Sequence, residues 1–238
     1  MSAPDPRVHV DLSHLRGLEA KAAGLSFLTR QPARSVLNGR HSSRLRGRGL
    51  NFAEMRDYLP GDDIRSIDWK ATARTGKPYV RVFTEERDRP ALLVVDQRMS
   101  MYFGSVLNMK SVTAAEAAAL AAFTVLAQGD RVGGVVFDDE RQVEIAPRRS
   151  RRALYELLAA TAEMNLGLNA DRVVDGNNGR LNQVLGSVAR MGGHDQLVFV
   201  FSDLAGVDAT TRQRLAGLAV HNDVILLLVH DPAARTLQ

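Results

Sequence analysis

Two aspartates at the ends of apolar runs are the residues best suited to chemistry in this chain. Asp96 follows the run at residues 91–95, and Asp203 follows the run at residues 197–201. Parallel strands of an open α/β sheet bring their carboxyl ends to one crevice, where ligands bind, so we expect the two carboxylates to converge. A cation or a proton must then relieve their repulsion. The pattern also fits two aspartates that each cap the helix after their strand.

The elements that would position these aspartates begin at residue 91, where short apolar runs alternate with amphipathic segments of helix length. This alternation is typical of α/β organisation, and continuous Val- and Leu-rich runs suit strands buried on both faces of a mostly parallel sheet. We predict strands at 91–95, 132–137, 197–201 and 224–229, with a short edge strand at 143–146. We predict helices near 110–128, 151–164, 181–191 and 209–220. Asp138 and Asp139 are interpreted as a solvated turn, the alternative being a position beside the crevice.

The first third of the chain has a different composition. Residues 12–25 carry leucines at helical spacing and predict a short amphipathic helix. Residues 30–48 hold six arginines among Ser, Gly and Pro and predict a basic loop. Such a loop could bind phosphates without sequence preference, although no Phe, Tyr or Trp for base stacking occurs from residue 30 until Phe52. We therefore divide the chain into an N-terminal helix and basic loop at 1–48, a charged extension at 49–89 and an α/β domain at 90–238.

Composition excludes several classes of protein. The chain of 238 residues has no cysteine, which rules out disulfides, thiolate zinc sites and thiol nucleophiles. It has no glycine-rich nucleotide-binding loop, and its six histidines show no metal-ligand spacing. The polar start lacks the apolar core of a signal peptide, and no uninterrupted apolar run has the length of a membrane span. We expect a cytoplasmic protein.

The stretch after the first α/β strand resembles the metal-ion-dependent adhesion site of the von Willebrand factor A fold, written Asp-x-Ser-x-Ser. Asp96, Ser100 and the downstream Asp203 match the pattern. Arg98 stands in place of the first Ser, and Gly179 in place of a Thr that opens a later helix. The resemblance implies a Rossmann-like sheet and a magnesium site that has lost two of its five protein ligands. We expect no bound cofactor, with Mg²⁺ as the alternative.

Arg98 is a candidate replacement for the metal. Its guanidinium is permanently charged and pairs well with carboxylates, so we hypothesise that Arg98 bridges Asp96 and Asp203. An exposed Arg98 could instead bind an acidic residue of a partner. The simpler alternative is that Arg98 points to solvent and the crevice holds water.

A second resemblance covers the charged extension. Residues 52–74 are similar to the signature of a bacterial family, the domain of unknown function numbered fifty-eight, and read FAEMRDYLPGDDIRSIDWKATAR. The match continues through residues 80–87 into the Asp96 strand and covers about 44–231. Family members are commonly encoded beside MoxR-type AAA+ ATPases, which implies such an ATPase as the partner. Relatives run on beyond the last strand, so we expect Gln238 to be a truncated end.

The same extension carries a dense set of charges. Pro60-Gly61 signals a turn, and Asp62 or Asp63 could cap one short helix that carries Ile64, Ile67 and Ala71, followed by a strand at 79–83. The charges form either an ion-pair cluster that docks this helix on the α/β domain or a face that docks a partner. The single tryptophan is expected to be buried, with its indole N–H bonded to a carboxylate. The candidate residues are Arg56, Asp62, Asp63, Arg65, Asp68, Trp69, Lys70 and Arg74.

These observations predict a non-enzymatic module that binds another protein, acting as an adaptor for a MoxR-type AAA+ ATPase. One alternative is a metal-dependent hydrolase with Asp96 and Asp203 as ligands, which lacks an evident general base. The other is a nucleic-acid binder that uses the basic N-terminal segment.

Overall fold

The chain folds into two units. The computed structural model describes residues 5–25, 50–85, 89–172 and 179–235. One unit comprises Met1–Phe27 and Arg89–Gln238, and the other comprises Leu28–Asp88. The start of the chain thus groups with the α/β unit, whereas the sequence suggested a separate N-terminal segment up to residue 48. The predicted basic loop at 30–48 lies outside the described residues.

The N-terminal segment forms two short helices that pack on the α/β core. Helix α1 (Leu12–Gly17) is capped by Asp11, and α2 (Glu19–Ala22) follows after Leu18. Leu15 is fully buried, and Leu18 nearly so, within the same hydrophobic cluster as the α/β strands. The helix predicted at 12–25 is therefore present in two pieces, and its burial explains its place in the larger unit.

The smaller unit is built on an antiparallel hairpin of β1 (Leu50–Asp57) and β2 (Tyr79–Glu85). Between these strands lie a 3₁₀ turn (Ile64–Ser66) and helix α3 (Trp69–Thr75), which ends at Gly76 in the left-handed conformation. The hairpin-like extension expected from the sequence is present.

The single helix predicted for this extension is wrong. Asp63 caps the 3₁₀ turn, whereas Asp68 caps α3 by accepting hydrogen bonds from the backbone N–H groups of Lys70 and Ala71. Ile67 between them is extended and forms a bridge with Val80 of β2. This pairing interrupts the helical pattern, because an extended residue cannot continue a helix.

Within the described residues, five strands form the mixed sheet of the larger unit. In chain order they are β3 (Ala91–Asp96), β4 (Val132–Phe137), β5 (Gln142–Arg148), β6 (Leu197–Ser202) and β7 (Asp223–Leu228). Their order across the sheet is β5-β4-β3-β6-β7, all parallel except the edge strand β5. Every residue of β3, β4 and β6 is buried. The predicted strands and the α/β class are confirmed, with bounds that differ by one or two residues.

Helices cover both faces of this sheet, at positions close to those predicted. They are α4 (Lys110–Ala127), α5 (Arg151–Leu166), α6 (Arg180–Met191) and α7 (Ala209–Ala219). Helices α4 and α5 pack with Leu93 and Val95 on one face, and α6 and α7 pack with Leu92 and Val94 on the other. The alternating faces of β3 thus anchor two separate cores.

Helix α4 is the most apolar of the four long helices of the larger unit. By length and composition alone it could cross a membrane, with a mean hydropathy of 1.3 over 18 residues, and 61% of it is buried inside the fold. Its small alanines allow close packing on β3 and on α5.

Candidate functional site

The carboxyl ends of β3 and β6 lie side by side. Val95 pairs with Phe201 in parallel register, and the hydroxyl of Ser202 donates a 2.6 Å hydrogen bond to Asp96 Oδ2. Arg98 Nη2 lies 2.7 Å from Asp96 Oδ2 and 3.7 Å from Asp203 Oδ1. The two carboxylates therefore meet at one crevice. We call Asp96, Arg98, Ser100, Lys110 and Asp203 the strand-end crevice.

Arg98 is folded back onto Asp96 and fills the position beside it. Its backbone N and its Nε lie 3.0 Å from Asp96 Oδ1, and Nη2 bonds Oδ2. Nη1 donates to the carbonyl of Ala205 at 3.1 Å. Burial alone would lower the pKa of Arg98, but the hydrogen bonds and charge of Asp96 outweigh it and raise the pKa above its ordinary value. The guanidinium therefore stays charged and ties the end of β3 to the loop after β6.

This placement corrects two alternatives considered for Arg98. Its side chain is only 6% exposed, so it does not point to solvent. Because Nε, Nη1 and Nη2 all donate within the fold, Arg98 is also not presented to an acidic residue of a partner. Arg98 lies between the two carboxylates as expected, but its contact with Asp203 is longer than its contact with Asp96.

Asp203 has a closer cation in Lys110, which sequence reasoning missed. Lys110 Nζ lies 2.8 Å from Asp203 Oδ2, and the hydroxyl of Ser100 donates to Oδ1 at 3.3 Å. Burial would raise the pKa of Asp203, but the hydrogen bond and charge of Lys110 hold it below the ordinary value. Lys110 is the first residue of α4. The predicted start of this helix is the one feature of the sequence that could have indicated that Lys110 lies near the strand ends.

Further acidic residues surround the crevice. Asp139 Oδ2 accepts a 2.8 Å hydrogen bond from the backbone N of Met99, and Asp138 is nearly fully buried. The solvated turn expected at these two residues is therefore wrong. Asp231, beyond β7, accepts hydrogen bonds from both the backbone N and the hydroxyl of Ser105. The hydrogen bond from the hydroxyl is the main reason why the pKa of Asp231 lies below its ordinary value.

Gly179 lies where the sequence placed it, directly before α6. It is the N-cap residue of that helix and has no side chain to cap it. The next residue, Arg180, is buried and donates from Nε to the carbonyl of Asp138 at 3.0 Å. The helix start therefore reaches the carboxyl end of β4, but it brings a guanidinium there instead of a hydroxyl.

The crevice residues do not fit a magnesium ion. Mg²⁺ requires oxygen ligands in near-octahedral geometry, usually with several waters. Both oxygens of Asp96 already accept hydrogen bonds from Arg98, and the hydroxyl of Ser100 is directed at Asp203. A divalent ion beside Asp96 would also face a buried guanidinium of like charge.

Three acidic residues of the charged extension form contacts within it. Asp62 forms a two-point pair with Arg56, with both N–O distances 2.8 Å, and accepts a hydrogen bond from the backbone N of Leu59. The hydrogen bond from Arg56 is the main cause of the lowered pKa of Asp62. Asp63 and Asp68 are the caps already described. These three carboxylates therefore stabilise the turn and the helix start.

Trp69 is exposed, which contradicts the predicted burial. Its relative exposure is 65%, and that of Ile64 is 63%. Trp69 is the first residue of α3, and the neighbouring carboxylate of Asp68 bonds backbone N–H groups of that helix. The residue type alone favours burial of a tryptophan. Only the position of Asp68 as the N-cap shows that Trp69 begins a short surface helix.

Comparison with known proteins gives the family. The family model described as a protein of unknown function, DUF58, matches residues 54–238. Uncharacterised proteins of Mycobacterium bovis and of two Mycobacterium tuberculosis strains are 29% identical over 215 residues, which is 90% of this chain. The chain spans about two thirds of the length of these curated relatives, 66% of each. No solved structure matches. Since the family model covers more than half of the sequence, the chain belongs to the DUF58 family.

Proposed function

We propose that this chain is a non-catalytic module that binds another protein, on a von Willebrand factor A-like scaffold whose metal has been replaced by Arg98. The observation that carries the proposal is the pairing of both Asp96 oxygens with the Arg98 guanidinium. In adhesion sites of this fold the metal also binds the partner's carboxylate. Here the positive charge belongs to the chain and is satisfied internally, so recognition must use other surface residues.

Energetics support this assignment. A divalent ion could reach Asp96 only by displacing Arg98, which would leave a buried guanidinium without its partner. Breaking a buried ion pair in this way costs about 3–5 kcal/mol. The same argument disfavours a metal-dependent hydrolase, because its two ligands would be Asp96 and Asp203.

The proposed partner is an AAA+ ATPase of the MoxR type, for which the chain would serve as an adaptor. The support is the resemblance of the signature at residues 52–74 to a family commonly encoded beside such ATPases. We also propose a cytoplasmic location, in which α4, 61% of which is buried inside the fold, is a core helix of the larger unit. Since the matched relatives are longer, the proposal concerns the module described here.

Titration calorimetry with Mg²⁺ and Mn²⁺ tests the replacement of the metal. We expect no saturable heat from the full chain. The matched variant Arg98→Ser/Gly179→Thr restores both missing hydroxyls and should gain binding that Asp203→Ala abolishes. Micromolar binding by the unaltered chain, lost in Asp203→Ala, would overturn the proposal.

Co-purification tests the partner. The tagged chain, expressed in its host, should retain a MoxR-type AAA+ ATPase, and recovery of no ATPase would count against the adaptor role. A screen of generic phosphodiesters and phosphomonoesters, with and without Mn²⁺, should show no turnover.

A further inference from the structure

The surface around α3 combines exposed apolar groups with exposed cations. Ile64 and Trp69 are each more than 60% exposed, and Arg65, Lys70 and Arg74 are also exposed. Lys70 and Arg74 are four residues apart and therefore lie on the same side of α3. These five residues lie within eleven positions of the chain, in the 3₁₀ turn and α3, and we call them the Trp69 face.

The charges of this segment are distributed unequally between its interior and its surface. Asp62 is paired with Arg56, and Asp68, which caps α3, is only 6% exposed. Across the described parts of the chain, no salt bridge involves Arg65, Lys70 or Arg74. Asp57 and Asp63 are exposed as well, but with Lys77 the exposed cations outnumber them among the described side chains, so the segment presents a net positive surface with apolar side chains.

We infer that the Trp69 face docks an acidic protein segment that also carries apolar side chains. Tryptophan and arginine are the residues most often found at the energetic centre of protein interfaces, and exposed apolar groups ringed by charge mark such sites. Complementary acidic residues would be steered to the cations, while an aliphatic side chain would cover Ile64 and Trp69. This inference rests on the proposed function and names the surface that performs it.

The composition of the face favours protein over nucleic acid. Proteins that bind single strands without sequence preference stack successive bases on several aromatic rings. Among the described side chains near α3, Trp69 is the one aromatic residue with high exposure, and Ile64 offers no stacking surface. The binding experiment must still exclude single-stranded DNA and an anionic membrane as ligands of this face.

The single tryptophan makes the face directly observable. Because Trp69 is the only tryptophan of the chain, indole fluorescence of the full-length protein reports this surface alone. Iodide should quench it more strongly than caesium, since anions concentrate near exposed cations and salt screens the difference. Equal quenching by both ions, or protection from both, would contradict the inference.

Binding is measured with a fluorescein-labelled peptide that carries Glu and Leu at helical spacing, and with a matched Lys/Leu peptide. The Glu/Leu peptide should bind, shift the indole emission to the blue and lose affinity in salt, whereas the Lys/Leu peptide should not bind. Trp69→Ala and Arg65→Glu/Lys70→Glu should each weaken binding by about tenfold or more. Glu at position 70 lies in the first turn of α3, where negative charge is favourable, so the fold should persist.

Arg212→Glu is the matched control, because Arg212 is an exposed arginine on α7 in the other unit. It should bind the Glu/Leu peptide as the unaltered chain does. Equal loss in the control, or no loss in the Trp69-face variants, would overturn the inference. So would Trp69-dependent binding of oligo-dT or of phosphatidylglycerol vesicles in place of the peptide.

Failure of this inference and failure of the adaptor proposal are separable. If the AAA+ ATPase co-purifies equally with the unaltered chain and with Arg65→Glu/Lys70→Glu, the adaptor role stands and the Trp69 face is wrong. If the Glu/Leu peptide binds through Trp69 but no ATPase is recovered, the face stands and the proposed partner is wrong.

Discussion

The strand-end crevice and the Trp69 face both contain arginine and lysine, but use these cations in opposite ways. In the crevice, Arg98 and Lys110 lie against carboxylates and have side-chain exposures of 6% and 16%. In the Trp69 face, Arg65, Lys70 and Arg74 are exposed and form no salt bridge with the described residues. Charge in the crevice therefore holds elements of the fold together, whereas charge on the face is available to a partner. Three measurements of stability can break or sharpen this contrast.

The largest expected effect comes from Arg98→Ala. The substitution removes three donors and leaves Asp96 buried without a cation, which should lower the free energy of unfolding by about 3–5 kcal/mol. Urea unfolding at neutral pH measures the change, and Arg152→Ala, at an exposed pair on α5, is the control that should change it little. A loss below about 1 kcal/mol would show that the crevice charges are not structural.

A smaller effect is expected for Lys110→Met, which keeps the length of the side chain but removes the cation of Asp203. Partial solvent screening limits the loss to about 1–2 kcal/mol at neutral pH. Since the folded-state pKa of Asp203 lies below the unfolded value, its contribution is complete above about pH 4 and disappears as the pH falls through the folded pKa. Unfolding measured from pH 7 to pH 3 should show the difference between the two proteins narrowing once the pH falls below about 4, the unfolded-state pKa of an aspartate. A constant difference would mean that Lys110 acts through packing.

The smallest effect is expected for Trp69→Ala. Its side chain is largely exposed, so the free energy of unfolding of the full chain should change by no more than about 0.5 kcal/mol. Thermal unfolding measured by circular dichroism in the far ultraviolet tests this, because the variant has no indole to follow. A loss of several kcal/mol would mean that the tryptophan is covered in the folded chain, as the sequence suggested.

The fold was accessible from the sequence because its determinants are local. Apolar runs such as residues 132–137 are continuous, and the separating helices are amphipathic or rich in alanine, so strands and helices could be placed within a few residues. The convergence of Asp96 and Asp203 followed from the parallel strands. The exception was the 64–75 segment, where the extended Ile67 pairs with Val80 of β2, outside the segment itself.

The details of the candidate site were less accessible because they depend on partners far apart in the chain. Lys110 reaches Asp203 across 93 residues, and Ser105 reaches Asp231 across 126. No local pattern marks either pair. For Trp69 the residue type itself was misleading. It suggested a position in the core, but Trp69 is the first residue of a short surface helix and is exposed. Spacing thus identified the crevice, but not which cation holds each carboxylate.

Because Arg98 is part of the chain, the cation at the carboxyl ends of β3 and β6 differs from a bound metal ion in how it depends on the solution. A bound metal ion exchanges with solution, so its occupancy follows ion concentration and chelators can remove it. The guanidinium is present once per molecule whatever the ionic composition, and its pKa lies above the physiological range. The guanidinium therefore joins the end of β3, which carries Asp96, to the loop that carries Ala205 without an ion taken from solution.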